Sequence, residues 1–371
     1  MIKTNSIWAH AWLALSLAAL FAPAALPQTN SFLRHNLVSD LPGIADFVDP
    51  NLVNPWGISA SATSPFWISN NGSGTTTLYN TDGQAFPLAS PIIVQIPPPM
   101  GGTDPGAITG QVSNSTTGFA VAAGKPASFI FATEDGTIAG WNSTVDATHA
   151  VTKVDNSASG AVYKGLALAA AGGPQLYATN FNAGTVDVFD ANFAPVTAAG
   201  AFQDPNIPPG FAPLNIANLN GKLYVTYAMQ DDEKHDDVAG AGNGYVDVYD
   251  LSGKLLQQLI SQAQLNSPWG LAMSPGSFGS LSNALLVGNF GDGGINAFDP
   301  ASGAYLGTMQ DKFGNPISQQ GLWAIQFGNG GSGGAANTLY FTAGISGGDD
   351  LEAHGLFGSF QAVDNLGSCI N

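Results

Sequence analysis

The sequence has very little cysteine and very little charge. One cysteine, Cys369, stands near the end of the 371 residues, so no intramolecular disulfide can form and the fold has to be stabilised by packing. Charged residues make up only 9% of the chain. This scarcity argues against long exposed helices, because their outer faces are normally covered with Glu, Lys and Arg.

Basic residues are rarer than acidic residues. Lys and Arg number 9 against 26 Asp and Glu, which gives a formal net charge of −17. A polyanion would be repelled by such a surface, so nucleic acid and anionic membranes are disfavoured as partners. Cations and neutral or basic ligands suit this charge better, although the same acidity also serves solubility.

Long apolar runs are missing except at the start of the chain. Met1–Ala25 combines an early Lys3 with an apolar core over residues 12–21 and small residues after it, which is typical of a secretory signal peptide. We therefore predict a signal peptide over residues 1–25, export to the extracellular space or periplasm, and one domain over residues 26–371. No membrane span is expected after removal of the signal.

What the chain does have is glycine, 47 residues of it, between short β-branched and aromatic runs. The stretch Ser267–Met273, Ala284–Asn289, Ile295–Asp299 and Ala304–Thr308 reads as four strands joined by tight turns. Such a unit is an antiparallel meander, and it recurs along the chain at spacings of about 45 to 60 residues, the period of propeller blades.

Six such units can be counted, which predicts an all-β, six-bladed β-propeller of four-stranded antiparallel blades. Phe32–Val38 alternates like a strand but has no partner next to it, so we expect it to be the outer strand of the last blade and to close the ring. In blade 3 we expect the outer strand near Ala201–Gln203. The second strands are predicted at Phe66–Asn70, Phe129–Thr133, Gln175–Asn180, Lys222–Tyr227, Ala284–Asn289 and Thr338–Thr342.

Several recurrent residues have a structural explanation. Trp56, Trp269 and Trp323 occupy matching places in first strands, which predicts packing between blades. Aspartates that close third strands before a turn are expected to cap turn N–H groups; these are Asp190, Asp250 and Asp299.

Candidate functional residues are concentrated in loops expected on one face of the ring. The loop of blade 4 over residues 230–244 and that of blade 6 over residues 344–354 are unusually rich in acids and each holds a histidine. Longer insertions on one face of a repeat array are where binding sites tend to be built. The candidate ligand-binding residues are Glu134, Asp135, Asp231, Asp232, His235, Asp236, Asp237, Asp292, Asp349, Asp350, Glu352 and His354.

Three interpretations of these loops are open. Clustered carboxylates could bind Ca²⁺, which takes six to eight oxygen ligands; the candidate metal ligands are Asp231, Asp232, Asp236, Asp237, Asp349, Asp350 and Glu352. The candidate catalytic residues His235 and His354 could instead serve a metal-dependent hydrolase or lactonase. The third interpretation is a purely structural, solvated pair of loops.

The run Pro55-Trp-Gly-Ile, followed by Trp67-Ile-Ser-Asn and Leu78-Tyr-Asn-Thr-Asp-Gly83, resembles the repeat of NHL-type six-bladed propellers. The whole chain after the signal is more similar to a family of uncharacterised secreted bacterial propeller proteins, some of which end in a PEP-CTERM sorting signal. This chain ends Gly367-Ser-Cys-Ile-Asn371, without that signal. The matching runs are Asn36-Leu-Val-Ser-Asp-Leu-Pro-Gly, Asn54-Pro-Trp-Gly, Thr133-Glu-Asp-Gly-Thr-Ile, Lys234-His-Asp-Asp-Val and Ala353-His-Gly-Leu-Phe-Gly.

This resemblance implies the propeller fold and export, and it implies no activity. From the residues we expect a secreted, monomeric binding or interaction module for a small molecule, glycan or protein, with a candidate Ca²⁺ site on its acidic face. The alternative is a metal-dependent hydrolase or lactonase that uses the same face; catalysis is left open, with the non-catalytic module preferred.

Overall fold

The computed structural model of the protein describes residues 31–363, apart from residues 171, 198 and 349, together with residues 368 and 369. It is a ring of six antiparallel blades, so the predicted six-bladed β-propeller is confirmed. The predicted signal peptide lies outside the described residues. Within them no helix is both long and apolar enough to cross a bilayer, and the helices are three 3-10 turns at Asn71–Ser73, Ser157–Ser159 and Gly279–Leu281.

Each blade has an innermost strand that faces the ring axis and a second strand paired to it. From blade 1 to blade 6 the innermost strands are Pro55–Ser59, Ile108–Ser113, Tyr163–Ala169, Phe211–Leu219, Pro268–Met273 and Leu322–Phe327. The second strands are Phe66–Asn70, Phe129–Thr133, Gln175–Asn180, Lys222–Met229, Leu285–Asn289 and Thr338–Gly347.

The third and outer strands complete each blade. The third strands are Thr75–Tyr79, Thr137–Trp141, Thr185–Asp190, Tyr245–Tyr249, Ile295–Phe298 and Asp350–Ala362. The outer strands are Ile93–Gln95, Val151–Asp155, Pro195–Val196, Leu255–Ser261, Tyr305–Thr308 and Phe32–Ser39. Two small additions were not predicted. One is a parallel edge strand on blade 6, Phe47–Val48. The other is a short hairpin before the second strand of blade 2, formed by Ala120–Ala122 and Lys125–Pro126.

The ring is closed as predicted. Phe32–Ser39 pairs antiparallel with Asp350–Ala362, from Phe32 opposite Ala362 to Ser39 opposite Leu356. A strand from the beginning of the described chain therefore covers the edge that the last blade would otherwise expose.

The outer strand of blade 3 was predicted in the wrong place. It is Pro195–Val196, not Ala201–Gln203. Phe202 has a positive φ of 53°, which a strand does not allow. Its ring is buried between Tyr177 and Tyr249, with centroid distances of 5.9 and 5.2 Å. The apolar run thus packs between blades 3 and 4 instead of extending the sheet.

The three matching tryptophans meet at the axis, which confirms their predicted packing role. Trp56 and Trp323 are stacked with ring centroids 3.6 Å apart. Trp269 lies edge-on to both at 5.2 Å. All three are buried. Their rings form a plug across the channel, here called the tryptophan plug.

Side chains also join neighbouring blades through carbonyl groups of the innermost strands. Thr342 donates to the carbonyl oxygen of Trp56 at 2.6 Å, and Asn215 donates to that of Trp269 at 2.7 Å. Because the groups involved are buried or half-buried, each such bond also satisfies a polar atom that would be costly to leave unpaired. Equivalent bonds join Gln111 to Gly57, Thr109 to Tyr163 and Thr179 to Leu214.

The aspartates that end or follow third strands cap turns, as predicted. The Asp250 carboxylate accepts hydrogen bonds from the backbone N–H groups of Ser252 and Lys254. The serine hydroxyl, which donates to the same oxygen at 2.6 Å, and these N–H groups lower the pKa of Asp250. Asp190 and Asp299 cap their turns in the same way.

Candidate functional site

A buried lysine marks the point where the loops of the acidic face meet the axis. Lys164 lies in the innermost strand of blade 3, and its side chain is only 1% exposed. Its Nζ atom lies over the Trp56 ring, 4.8 Å from the ring centroid, within the range of a cation–π contact. Its position puts a positive charge next to the tryptophan plug.

Two carboxylates pair with this ammonium. Glu134, just after the second strand of blade 2, is in close contact with it, and Asp236 of the blade 4 loop lies 3.0 Å away. Burial by itself would lower the pKa of Lys164, but the charges of Glu134 and Asp236 outweigh it and raise the pKa above its ordinary value. The lysine is therefore charged, and it joins three blades.

Hydrogen bonds with nearby residues hold Asp236 and Glu134 in place. The carboxylate of Asp231 accepts a hydrogen bond from the backbone N–H of His235 at 2.8 Å, and its own N–H donates to the carbonyl of Asp236 at 2.9 Å. These bonds turn the blade 4 loop back toward the axis. On the other side, Asn71 donates to the second carboxylate oxygen of Glu134 at 2.8 Å, which fixes that side chain.

His235 forms an exposed pair with Asp236. Its Nδ1 atom lies 3.2 Å from the Asp236 carboxylate, and this hydrogen bond raises the pKa of His235. The bond to His235 and the charge of Lys164 hold the pKa of Asp236 well below its usual range. Asp236 therefore stays ionised at any ordinary pH.

Two further acids, Asp237 and Glu352, lie half-buried beside this pair, and each has one buried oxygen without a partner among the residues that the structure describes. Burial raises the pKa of Asp237 to about 6. Burial, followed by the charge of Glu134, raises the pKa of Glu352 to about 7. Among the described residues, Oδ2 of Asp237 and Oε1 of Glu352 are buried and have no hydrogen-bond partner.

The backbone of Glu352 is also unusual, with a φ of +72°. A residue with a Cβ is rarely found in this left-handed region, and the conformation costs on the order of 1 kcal/mol. The blade 6 hairpin therefore directs this carboxylate inward at some cost in backbone energy.

Together these residues form one charged group, here called the hub cluster: Glu134, Lys164, Asp236, Asp237 and Glu352. It contains four carboxylates and one ammonium. Ligand atoms of Glu134, His235 and Asp236 lie within 4.8 Å of one another, the spacing of groups that could hold a metal ion. Such an arrangement can bind a cation or hold protons near neutral pH.

The other predicted site residues do not belong to the hub cluster. His354 is paired with Asp40, at 2.6 Å between Nδ1 and Oδ2, and the other Asp40 oxygen accepts the Gly355 N–H. Asp135 accepts the N–H of Ala107 at 2.7 Å, which braces its loop. Of the rest, Asp231 and Asp292 bind loop N–H groups, Asp232 and Asp350 are exposed, and Asp349 lies outside the described residues.

Sequence reasoning missed Lys164. A signal was present, because it is the one charged residue in the otherwise apolar strand Tyr163–Ala169. A lysine at an inward strand position has to find a counter-charge, since an isolated buried ammonium is very costly. The partner could not be identified, because Glu134 and Asp236 are 30 and 72 residues away along the chain.

No protein-family model matches the chain. An uncharacterised protein of Acanthamoeba polyphaga mimivirus is 34% identical over 296 residues, covering 77% of this chain and 71% of that protein. The chain belongs to its family. A second uncharacterised mimivirus protein of the family is 31% identical over 296 residues, covering 77% and 76% of the two chains. A bacterial origin of the family, suggested by the sequence resemblance, stays a prediction.

Solved structures were compared for their overall fold, and one of them reaches a TM-score of 0.50. A luciferin-regenerating enzyme superposes with a TM-score of 0.50 at 13% identity, covering 84% of this chain and 91% of that enzyme. A streptogramin B lyase gives a TM-score of 0.48 at 11% identity, covering 89% and 96%. At such low identity these similarities concern the fold alone, and the hub cluster has to be interpreted from its own residues.

Proposed function

We propose that the protein is a ligand-binding propeller whose hub cluster takes a divalent cation, with Ca²⁺ the best match. The supporting observation is the pair of buried, unpartnered carboxylate oxygens on Asp237 and Glu352 beside Glu134 and Asp236. A buried carboxylate without a partner is destabilised when ionised, and a hard cation with oxygen ligands removes that cost.

The chemistry of the donors selects the kind of cation. The ligand atoms that lie within 4.8 Å of one another belong to two carboxylates, Glu134 and Asp236, and to the ring of His235. Asp237 and Glu352 add two carboxylates that interact electrostatically with this group. Oxygen donors therefore outnumber nitrogen donors, which favours a hard ion over a transition metal. Lys164 neutralises part of the charge on Glu134 and Asp236. We therefore expect modest affinity, with a dissociation constant of about 10⁻⁴ to 10⁻³ M.

The raised pKa values predict how cation binding changes with pH. A carboxylate has to lose its proton before it can bind a metal ion. Asp237, with a pKa of about 6, and Glu352, with a pKa of about 7, are protonated in mildly acidic solution. Cation binding should accordingly be strong at pH 8 and weak at pH 5.5.

The test is calorimetric titration of the full chain with CaCl₂ at pH 8 and pH 5.5. We expect saturable one-to-one binding at pH 8 and at least tenfold weaker binding at pH 5.5. Glu352→Gln keeps the shape of the side chain and should abolish binding at pH 8. Asp299→Asn, which changes an exposed turn cap, is the matched control and should bind as the wild type does.

Equal binding by wild type and Glu352→Gln would place the cation elsewhere. If no cation binds at pH 8, Lys164 is the only cation of the hub cluster and the proposal is wrong. Melting temperatures with and without CaCl₂ give an independent readout, because a ligand that binds only the folded state raises stability.

A metal-dependent hydrolase or lactonase is the second candidate. It is favoured by the accessible His235–Asp236 pair next to two acids whose pKa values are displaced toward neutrality, since such displaced values are concentrated at catalytic sites. Turnover of a panel of lactones and esters by the wild type, lost in His235→Ala and Asp236→Asn, would support it. If the wild type hydrolyses no member of the panel, the hydrolase candidate is wrong and the binding module remains.

Export and a monomeric state complete the proposal. The apolar leader over residues 1–25 supports export. Cell fractionation of the full chain, compared with a variant that lacks residues 2–25, tests it; retention of both inside the cell would contradict it. Light scattering of the purified chain tests the monomeric state.

A further inference from the structure

The channel is open on the side of the tryptophan plug opposite to the hub cluster. A cavity of about 570 Å³ occupies that half and is lined by residues from all six innermost strands. In blade 1 the lining begins at Gly57 and in blade 3 at Leu166. Since the hub cluster lies at the starts of these strands, beside Lys164, the cavity lies toward the other face of the ring.

This cavity is a blind pocket. Trp269 belongs to its lining, and its ring contacts those of Trp56 and Trp323 at centroid distances of 5.2 Å. The tryptophan plug thus separates the cavity from the hub cluster. A volume of this size falls in the range of small-molecule sites, about 300 to 1,000 Å³.

The wall of the cavity is uncharged. Among the described residues that line the cavity there is no Asp, Glu, Lys, Arg or His, although the chain as a whole carries a net charge of −17. The lining combines aliphatic residues such as Ile58 and Leu271 with residues that carry amide and hydroxyl groups. An ion would enter this pocket without a counter-charge, and desolvation disfavours that transfer.

Polar groups near the cavity mouth are free to bind. Ser113, Ser115 and Gln326 line the cavity, and none of their side chains has a hydrogen-bond partner in the described part of the chain. The innermost strands add backbone groups, because each is the terminal strand of its sheet and has one unpaired edge. Hydroxyl and amide groups are therefore available around an aliphatic and aromatic floor.

We propose that this pocket binds an uncharged small molecule that carries both hydroxyl groups and an apolar ring, such as a neutral glycoside with an aromatic substituent. The ring would rest on the apolar floor, while the hydroxyls would bond with the amide and hydroxyl side chains at the mouth. This site is separate from the proposed cation site, so either proposal can fail without the other.

The test is saturation-transfer NMR of the full chain with p-nitrophenyl β-glucoside as the probe. The matched anionic probe is p-nitrophenyl β-glucuronide, which has nearly the same shape. We expect the glucoside to bind at millimolar concentration and the glucuronide to bind at least tenfold more weakly. Equal binding of both probes would contradict an uncharged pocket.

Ser113→Trp should block the pocket and weaken glucoside binding at least tenfold. Ala217→Phe, in the wall contributed by blade 4, is a second blocking variant in case the first fails to fold. Ser302→Trp, in an exposed turn, is the control and should leave binding unchanged, as should Glu352→Gln. No glucoside binding by a folded wild type, or binding that neither folded blocking variant reduces, would overturn the proposal.

Discussion

The ammonium of Lys164 lies 4.8 Å from the centroid of the Trp56 ring. The same ammonium binds Glu134 and Asp236, so side chains of blades 1, 2, 3 and 4 meet at one buried charge. This contact links the tryptophan plug to the acidic loops. Replacing Lys164 should therefore disturb more blades than replacing a residue that contacts one blade alone.

Replacing Lys164 with Met should be strongly destabilising. The substitution keeps much of the apolar stem but leaves Glu134 partly buried without its counter-charge, which typically costs about 3–5 kcal/mol. Denaturant unfolding at pH 7 measures the change. Lys222→Met, at an exposed strand position, is the control and should change stability by less than about 0.5 kcal/mol. A loss below about 1 kcal/mol for Lys164→Met would contradict this role.

Adding Glu134→Gln to Lys164→Met should restore part of the lost stability. The neutral amide removes the unpaired charge, and Asn71 still has an oxygen to which it can donate. We expect the double variant to be more stable than Lys164→Met alone, by about 1–3 kcal/mol. Unfolding of the four species of the double-mutant cycle measures this coupling; strictly additive effects would show that the two residues do not interact.

Stability should fall as pH rises from about 4 to 7, and Asp247 should be a main cause. Asp247 is fully buried in blade 4, where it accepts the Tyr249 hydroxyl at 2.9 Å, and burial raises its pKa to about 7. A folded-state pKa above the unfolded value means that the folded state holds the proton more tightly. This contribution is fully present below about pH 4 and is lost as pH rises through 7.

Asp247→Asn should flatten that pH dependence. The shift to about 7 from 3.8 corresponds to about 4 kcal/mol, and the neutral amide cannot lose a proton. Unfolding free energies at pH 4.5, 6 and 8 measure the effect. Parallel curves for the variant and the wild type would show that Asp247 is not the titrating group.

Thr342→Val should weaken the junction between blades 6 and 1. The Thr342 hydroxyl is buried, donates to the Trp56 carbonyl at 2.6 Å and accepts the Ala324 N–H at 3.1 Å. Valine has the same shape but leaves both groups unpaired, at a cost of about 1–3 kcal/mol. Thermal unfolding checks this against Thr63→Val on an exposed loop. Equal melting temperatures for the two variants would contradict it.

Phe32→Ala should loosen the closing strand of the ring. Phe32 is 2% exposed and packs against Phe278 at a centroid distance of 4.8 Å, so its truncation should cost about 3–5 kcal/mol. The neighbouring Leu33 is 51% exposed, and Leu33→Ala should cost much less. Hydrogen exchange of the amides in Asp350–Ala362 locates the effect; unchanged protection there in Phe32→Ala would argue against seam closure by this residue.

The fold could be predicted because short apolar strands and glycine or aspartate turns recur at a regular spacing. The outer strand of blade 3 was misplaced because Ala201–Gln203 has the composition of a strand. Composition cannot report the positive φ of Phe202, which depends on the space between blades 3 and 4.

The hub cluster was predicted in part. The sequence pointed to Glu134, Asp236, Asp237 and Glu352, which the structure brings together, but it did not point to Lys164. His354 was grouped with them because it lies in the same loop sequence, but Asp40 binds it instead. Which loop side chains turn inward depends on turn geometry that a single sequence does not display.

The ring can close only in a chain that has its last blade. Because the antiparallel partner of Phe32–Ser39 is Asp350–Ala362, a nascent or truncated chain that lacks the last blade leaves that edge of Phe32–Ser39 unpaired, however well its other blades have formed. In such chains this edge would be open to proteases and to pairing with another chain, whereas in the finished ring Asp350–Ala362 covers it.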